Sequence, residues 1–160
     1  MRAKSLALLK SMLQHPSPSG YEQPVQKLWR DYTASFCPVR TDPHGNTIGS
    51  LNESGSPRVM FAGHCDEIGF LIRYIDEKGF LYFGPIGGFD ETIVPGRRVT
   101  IHTARGPVSG VIGKAPIHLI KPDERKKGAE INDLWIDIGA KDKKDAEATV
   151  TIGDPVTYQY

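Results

Sequence analysis

The residues of this sequence best placed to do chemistry are His64 and Asp66, two positions apart in His64-Cys65-Asp66, preceded by the apolar run Val59-Met60-Phe61-Ala62. On an extended backbone, positions i and i+2 face the same way. The imidazole and the carboxylate would then stand side by side, with the acid fixing the ring, raising its basicity and offsetting part of a cation's charge. That is the chemistry of a metal ligand with a supporting carboxylate. Taken alone, His-x-Asp fits a histidine hydrogen-bonded at a strand end better than it fits a metal site, so the surrounding sequence has to decide.

Positioning His64 falls first to residues 58–62, whose apolar character predicts a buried strand. Upstream, Leu6, Leu9 and Leu13 lie on one stripe of an expected helix, with Met12 beside them, and the pattern stops at His15-Pro16. Ser19 and Glu22 have the spacing of a capping box for a second helix, which places Val25, Leu28, Trp29 and Tyr32 at positions i, i+3, i+4 and i+7. Between residues 38 and 51, Asp42-Pro43-His44-Gly45-Asn46 is a cluster of turn formers between two short strands.

After Gly69 the texture changes to short β segments, expected at 70–75, 79–83, 97–103, 107–112, 134–138 and 156–160. Polar turns such as Asp76-Glu77-Lys78-Gly79 separate them, and a helix is expected near 143–148. Strands at this spacing predict a small barrel or sandwich rather than βαβ units. The polar stretch 121–130, which holds Arg125-Lys126-Lys127 beside Asp123 and Glu124, reads as an exposed loop.

Four stretches, in this order, resemble the first part of the TET and glutamyl-aminopeptidase family of cocatalytic zinc peptidases, some members of which carry an endoglucanase label. They are Pro16-Ser17-Pro18-Ser19-Gly20-Tyr21-Glu22, Thr41-Asp42-Pro43-His44-Gly45-Asn46-Thr47-Ile48-Gly49, Ala62-Gly63-His64-Cys65-Asp66-Glu67-Ile68-Gly69-Phe70 and Leu134-Trp135-Ile136-Asp137-Ile138-Gly139-Ala140. The resemblance runs from about Leu6 to Tyr160. It implies an α/β fold with residues 1–68 as the N-terminal part of a catalytic peptidase domain. Residues 69–160 would be an inserted β-barrel or sandwich used for dimerisation, together with the start of a return strand.

The same resemblance implies a metal-dependent aminopeptidase with two divalent ions, zinc or cobalt, and a homo-oligomer between dimer and dodecamer. His64 would be a metal ligand, and Asp66 would orient or tune it. The family's bridging Asp, its Glu-Glu pair, a further acidic ligand and a late His match no position here, and Glu124, Asp133, Asp137 and Asp154 do not replace them. One histidine cannot hold a cocatalytic pair, since each zinc needs about three or four ligands, so the isolated chain is expected to be inactive.

The remaining residues narrow the alternatives. His15, His44, His102 and His118 have no paired ligand at metal spacing, and His102 is expected to face solvent. Cys37 and Cys65 are too few for a disulfide framework and lack CxxC spacing, so both read as reduced thiols, with Cys65 small and buried. Twenty basic against 19 acidic residues leave a net charge of +1, which offers no field for nucleic acid or an anionic membrane. No apolar run spans a bilayer and the N-terminus lacks a signal-peptide pattern, so a cytoplasmic protein is expected. A different class of reading is a non-catalytic oligomerisation module whose contacts come from Phe80-Leu81-Tyr82-Phe83 and residues 84–89, although these fit a barrel core equally well. A glycoside hydrolase is the weakest reading, because adjacent Asp66 and Glu67 cannot face each other across a sugar.

Overall fold

The computed structural model describes residues 2–120 and 128–159. Its contacts divide the chain into two compact units, one running to Glu67 and the other beginning at Ile68. Most of the loop expected at 121–130, with Glu124 and the three basic residues, lies outside the described residues.

The first unit holds two helices, α1 (Ala3–Gln14) and α2 (Gln23–Thr33), and an antiparallel ribbon of β1 (Val39–Thr41) and β2 (Thr47–Gly49). The turn between the strands is organised by Asp42. Its side chain accepts bonds from the backbone N–H groups of His44 and Asn46 and from the Asn46 amide. These bonds, the Asn46 side chain foremost, hold the Asp42 carboxyl below its ordinary pKa. Gly49 lets β2 approach the end of α2, since a Cβ there would come within 2.7 Å of Thr33 Cγ2.

The helix expected over the Leu6, Leu9 and Leu13 stripe forms as α1, with the three leucines exposed and no α1 residue buried. One expectation for this unit fails. Residues 58–62 are extended but form no strand, because no described strand lies beside them to accept their backbone hydrogen bonds.

The second unit is a closed antiparallel barrel of six strands. These are β3 (Gly69–Ile75), β4 (Leu81–Ile86), β5 (Arg98–Thr103), β6 (Gly106–Gly113), β7 (Trp135–Asp137) and β8 (Pro155–Tyr158), in the order β3-β4-β7-β6-β5-β8. β8 closes the barrel, with Val156 paired to Phe70 on β3 and to Ile101 on β5. Along β3, Phe70 and Ile72 point inward, and a bulge between Ile72 and Tyr74 resets the alternation so that Ile75 points inward as well. The β3–β4 turn uses Gly79 at φ +84°, where a Cβ would lie 2.8 Å from the Asp142 carbonyl. A short helix α3 (Lys143–Glu147) is capped by Asp142, whose side chain accepts from Asp145 N.

The core residues include Phe70, Ile72, Leu81, Val99, Ile101, Ile112, Ile136 and Val156, all fully buried, each contributing about 1.5–3 kcal/mol of burial. Leu81 and Phe83 belong to this core, Phe80 packs against Trp135, and Phe89 stacks on Phe70. Leu81 and Phe83 therefore fill the barrel, whereas Phe80, Tyr82 and Phe89 are half-buried.

Candidate active site

The site lies within the first unit, where the loop after α1 is zipped to the segment that carries His64. Ser17 N donates to Glu67 Oε1 (2.9 Å), Glu67 N donates to the Ser17 carbonyl (2.8 Å), and Pro18 bridges Glu67 in parallel register. This pairing holds residues 64–67 against the Pro16-Ser17-Pro18-Ser19 turn.

His64 Nδ1 lies 2.9 Å from Asp66 Oδ1 and 3.1 Å from the Asp66 carbonyl oxygen. Ser19 Oγ donates to the other carboxylate oxygen, Asp66 Oδ2, at 2.5 Å. The Ser19 bond and then the His64 bond hold the Asp66 carboxyl below its ordinary pKa, against a small opposing effect of desolvation. An ionised carboxylate only accepts, so the nitrogen facing it, Nδ1, carries a proton, and in the neutral ring Nε2 keeps its lone pair. The His64 side chain is 85% exposed, so Nε2 is accessible from solvent.

A cavity of about 260 Å³ adjoins these groups. Leu9, Met12, Leu13 and Val25 form its apolar wall, and His64, Cys65, Asp66 and Glu67 form its polar rim. Cys65 is half-buried on that rim rather than fully buried as the sequence suggested.

The structure brings together His64 and Asp66 and adds Ser19, which the sequence reading had assigned to a helix cap. Glu22 instead accepts from Gly20 N, and α2 starts without a side-chain cap. Position alone did not separate the two roles, because a serine three residues before Glu22 suits both; the partner that claims it is 47 residues away.

The other histidines lie elsewhere. His15 Nδ1 is bonded to the Ser11 carbonyl, His44 sits in the exposed Asp42 turn, and His118 is exposed. His102 does not face solvent: it is half-buried on the barrel with Nε2 2.8 Å from Thr157 Oγ1, and burial lowers its pKa. Asp137 and Asp154 accept from nearby backbone N–H groups in turns.

As a metal site, the geometry fits one ligand position, an imidazole with its free nitrogen set by a carboxylate. It does not fit a complete centre, since no group of three or more His, Cys, Asp or Glu among the described residues can hold a metal ion.

Comparison with known proteins shows the family of the chain. SgcX of Escherichia coli (strain K12) is 38% identical over 153 residues, covering 93% of this chain and 41% of that protein. The TET aminopeptidase from the marine sediment archaeon Thaumarchaeota archaeon SCGC AB-539-E09 superposes with a TM-score of 0.93 at 36% identity, over 98% of this chain and 45% of that one. The TET1 peptidase of Pyrococcus horikoshii, described as assembling into a tetrahedron or a large octahedral shell, superposes at 0.85 with 36% identity, over 96% of this chain and 46% of that one. The chain thus spans less than half the length of these relatives. Residues 45–160 match the M42 glutamyl aminopeptidase family, and with these likenesses the chain belongs to that family.

Proposed function

We propose that this chain forms the first part of a metal-dependent aminopeptidase, in which His64 ligates one of two divalent ions through Nε2. Asp66, held by Ser19, orients the ring. The observation that carries the reading is the Ser19–Asp66–His64 chain of hydrogen bonds, which engages Nδ1 and leaves Nε2 as the nitrogen open to a metal. A pair of zinc or cobalt ions in such a site supplies an activated water and polarises the peptide carbonyl. The part of this chain is narrower: it orients one imidazole and keeps its proton on Nδ1. Since the described residues provide no further ligand set, the chain alone is inactive, and its substrates in a complete enzyme are peptides cleaved at the N-terminus.

In the same reading, residues 1–68 are the N-terminal part of the catalytic domain and residues 69–160 are an inserted barrel that serves dimerisation and higher assembly. The Pyrococcus horikoshii TET1 peptidase, described as assembling into a tetrahedron or a large octahedral shell, supports an assembling role by likeness. The reading places the peptidase in the cytoplasm; no helix among the described residues is long and apolar enough to cross a membrane. Asp66 and Glu67 are each engaged in bonds within the loop pairing, which favours a positioning role over the opposed acid and base that sugar cleavage requires.

The test is a chimera in which this chain replaces the matched part of the Thaumarchaeota TET aminopeptidase, assayed on aminoacyl-p-nitroanilides with zinc or cobalt. The expected result is metal-dependent turnover that His64→Ala abolishes, with none from the isolated chain. Turnover that survives His64→Ala would overturn the assignment.

A further inference from the structure

The barrel carries a cavity of about 340 Å³ that has no part in the peptidase reading. It lies wholly within the second unit and is lined by Arg73, Pro85, Glu91, Glu130, Ile131 and Asn132. That volume equals about eleven waters at roughly 30 Å³ each.

Backbone geometry brings the one cation of the lining to this cavity. Ile72 pairs with Phe83 and Tyr74 with Tyr82, so Arg73 is the unpaired residue of the β3 bulge. A bulge re-aims a side chain in this way. The Arg73 side chain lies across Gly84 of β4, where a Cβ would come within 2.6 Å of Arg73 Cδ and 3.1 Å of Nη1. Gly84 is thus the residue that lets the guanidinium pass over the strand.

The acceptors are placed as well. Glu91 Oε2 accepts from Ile131 N at 3.1 Å, a bond that ties the 3-10 turn Glu91–Ile93 to the turn Ile131–Asp133. Glu130 immediately precedes the second turn. The Pro85 carbonyl is a third acceptor, for a reason that starts on β3. Ile72 N donates to the Asp154 carbonyl and Gly153 N donates to the Ile72 carbonyl, so Ile72 and Phe83 face each other as a non-hydrogen-bonded pair. Phe83 and, two residues on, Pro85 therefore turn their backbone groups away from β3. On that side β7 pairs with β4 at Leu81, and among the described residues the Pro85 carbonyl has no backbone donor.

No ion pair among the described residues engages Arg73, Glu91 or Glu130. One cavity thus holds a guanidinium and two carboxylates that do not neutralise each other, which suits a ligand carrying both charges. We infer that this cavity binds a dipeptide-sized peptide with both termini free. Arg73 takes the C-terminal carboxylate in its planar fork. The N-terminal ammonium has three N–H donors, and Glu91, Glu130 and the Pro85 carbonyl receive them. A single small amino acid would leave much of the volume to water. Since no residue of the first unit takes part, this binding goes beyond the peptidase reading and stands without it. Together the two give the barrel a role in retaining the short peptides that N-terminal cleavage leaves.

Alanyl-alanine, titrated into the isotope-labelled chain in metal-free buffer and followed by amide chemical shifts, tests the inference. A ligand this small should bind in about the millimolar range, with saturable shifts at Gly84, Ile86, Glu91, Ile131 and Asn132. N-acetyl-alanyl-alanine, alanyl-alanine amide and free alanine should each bind about tenfold more weakly or worse, the loss of one charge-assisted contact. Arg73→Met should cause a similar loss at an unchanged barrel melting temperature, and Gly84→Ala should weaken binding by pushing Arg73 aside. His64→Ala should leave binding intact. Absence of saturable shifts, shifts confined to the first unit, or equal binding by the blocked peptides would overturn the inference. So would undiminished binding to Arg73→Met, and free alanine binding as tightly as the dipeptide would make the ligand an amino acid instead.

Discussion

Two phenylalanines, Phe70 and Phe61, allow the difference between the units to be measured as energy. Phe70 is fully buried, with its ring 4.9 Å from Phe83, 4.4 Å from Phe89 and 5.5 Å from Tyr158. Truncating a buried phenylalanine costs about 3–5 kcal/mol, and the edge-on and stacked neighbours push Phe70→Ala toward the upper end, since such pairs contribute about 0.5–1.5 kcal/mol beyond area. A unit spanning residues 68–160 is expected to have a total stability of about 5–14 kcal/mol, so the loss is a large fraction of the whole. At about 4–8 °C per kcal/mol for a domain of this size, the barrel melting temperature should fall by about 12–40 °C. Phe61 is 97% exposed, so Phe61→Ala should shift stability by less than about 0.5 kcal/mol. Calorimetry and urea titration followed by near-ultraviolet circular dichroism measure both variants in the isolated chain. A comparable loss for the two variants would refute the reasoning, because it would mean that residues 58–63 already pack into a core.

Ser19→Ala should raise the titration midpoint of the Asp66 carboxyl toward the ordinary aspartate value, read by carbon NMR of that carboxyl. Because the folded pKa of Asp66 is lowered, its contribution to stability is complete above the ordinary aspartate pKa of about 3.9 and is lost as pH falls through the folded value. Ser19→Ala should therefore weaken the acid dependence of the first unit, and an unmoved midpoint would remove Ser19 from the site. On the barrel, burial lowers the pKa of His102, so its unfolded form binds the extra proton first. Barrel stability should fall as pH drops below about 6.5 and level off below the folded value. His102→Gln should flatten that slope, and an unchanged slope would assign it to other groups.

Barrel strands were legible because each carries its own record: apolar alternation between turn formers such as Asp76 and Gly79 predicts β3 and β4 without reference to partners. Their spatial order, with β7 between β4 and β6 and β8 closing the ring, depends on contacts distant in sequence and left no local trace. Residues 58–62 show the opposite case. Their composition is that of an interior strand, but a strand exists only when neighbours accept its hydrogen bonds, and the described residues supply none. His64 and Asp66 were legible from spacing together with the surrounding motifs. Ser19 was assigned to a cap because the local rule and the long-range bond compete for one hydroxyl, and Asp66 wins by offering an ionised acceptor. His102 was misplaced because alternation on β5 gives its face but not the Thr157 side chain that receives it.

The most direct measurement is anomalous diffraction at the zinc edge from crystals of the zinc-loaded chimera. The account predicts a peak about 2.0–2.1 Å from His64 Nε2, with Nδ1 still bonded to Asp66. A zinc site without His64, or one bound through Nδ1 with the Asp66 bond broken, would contradict it.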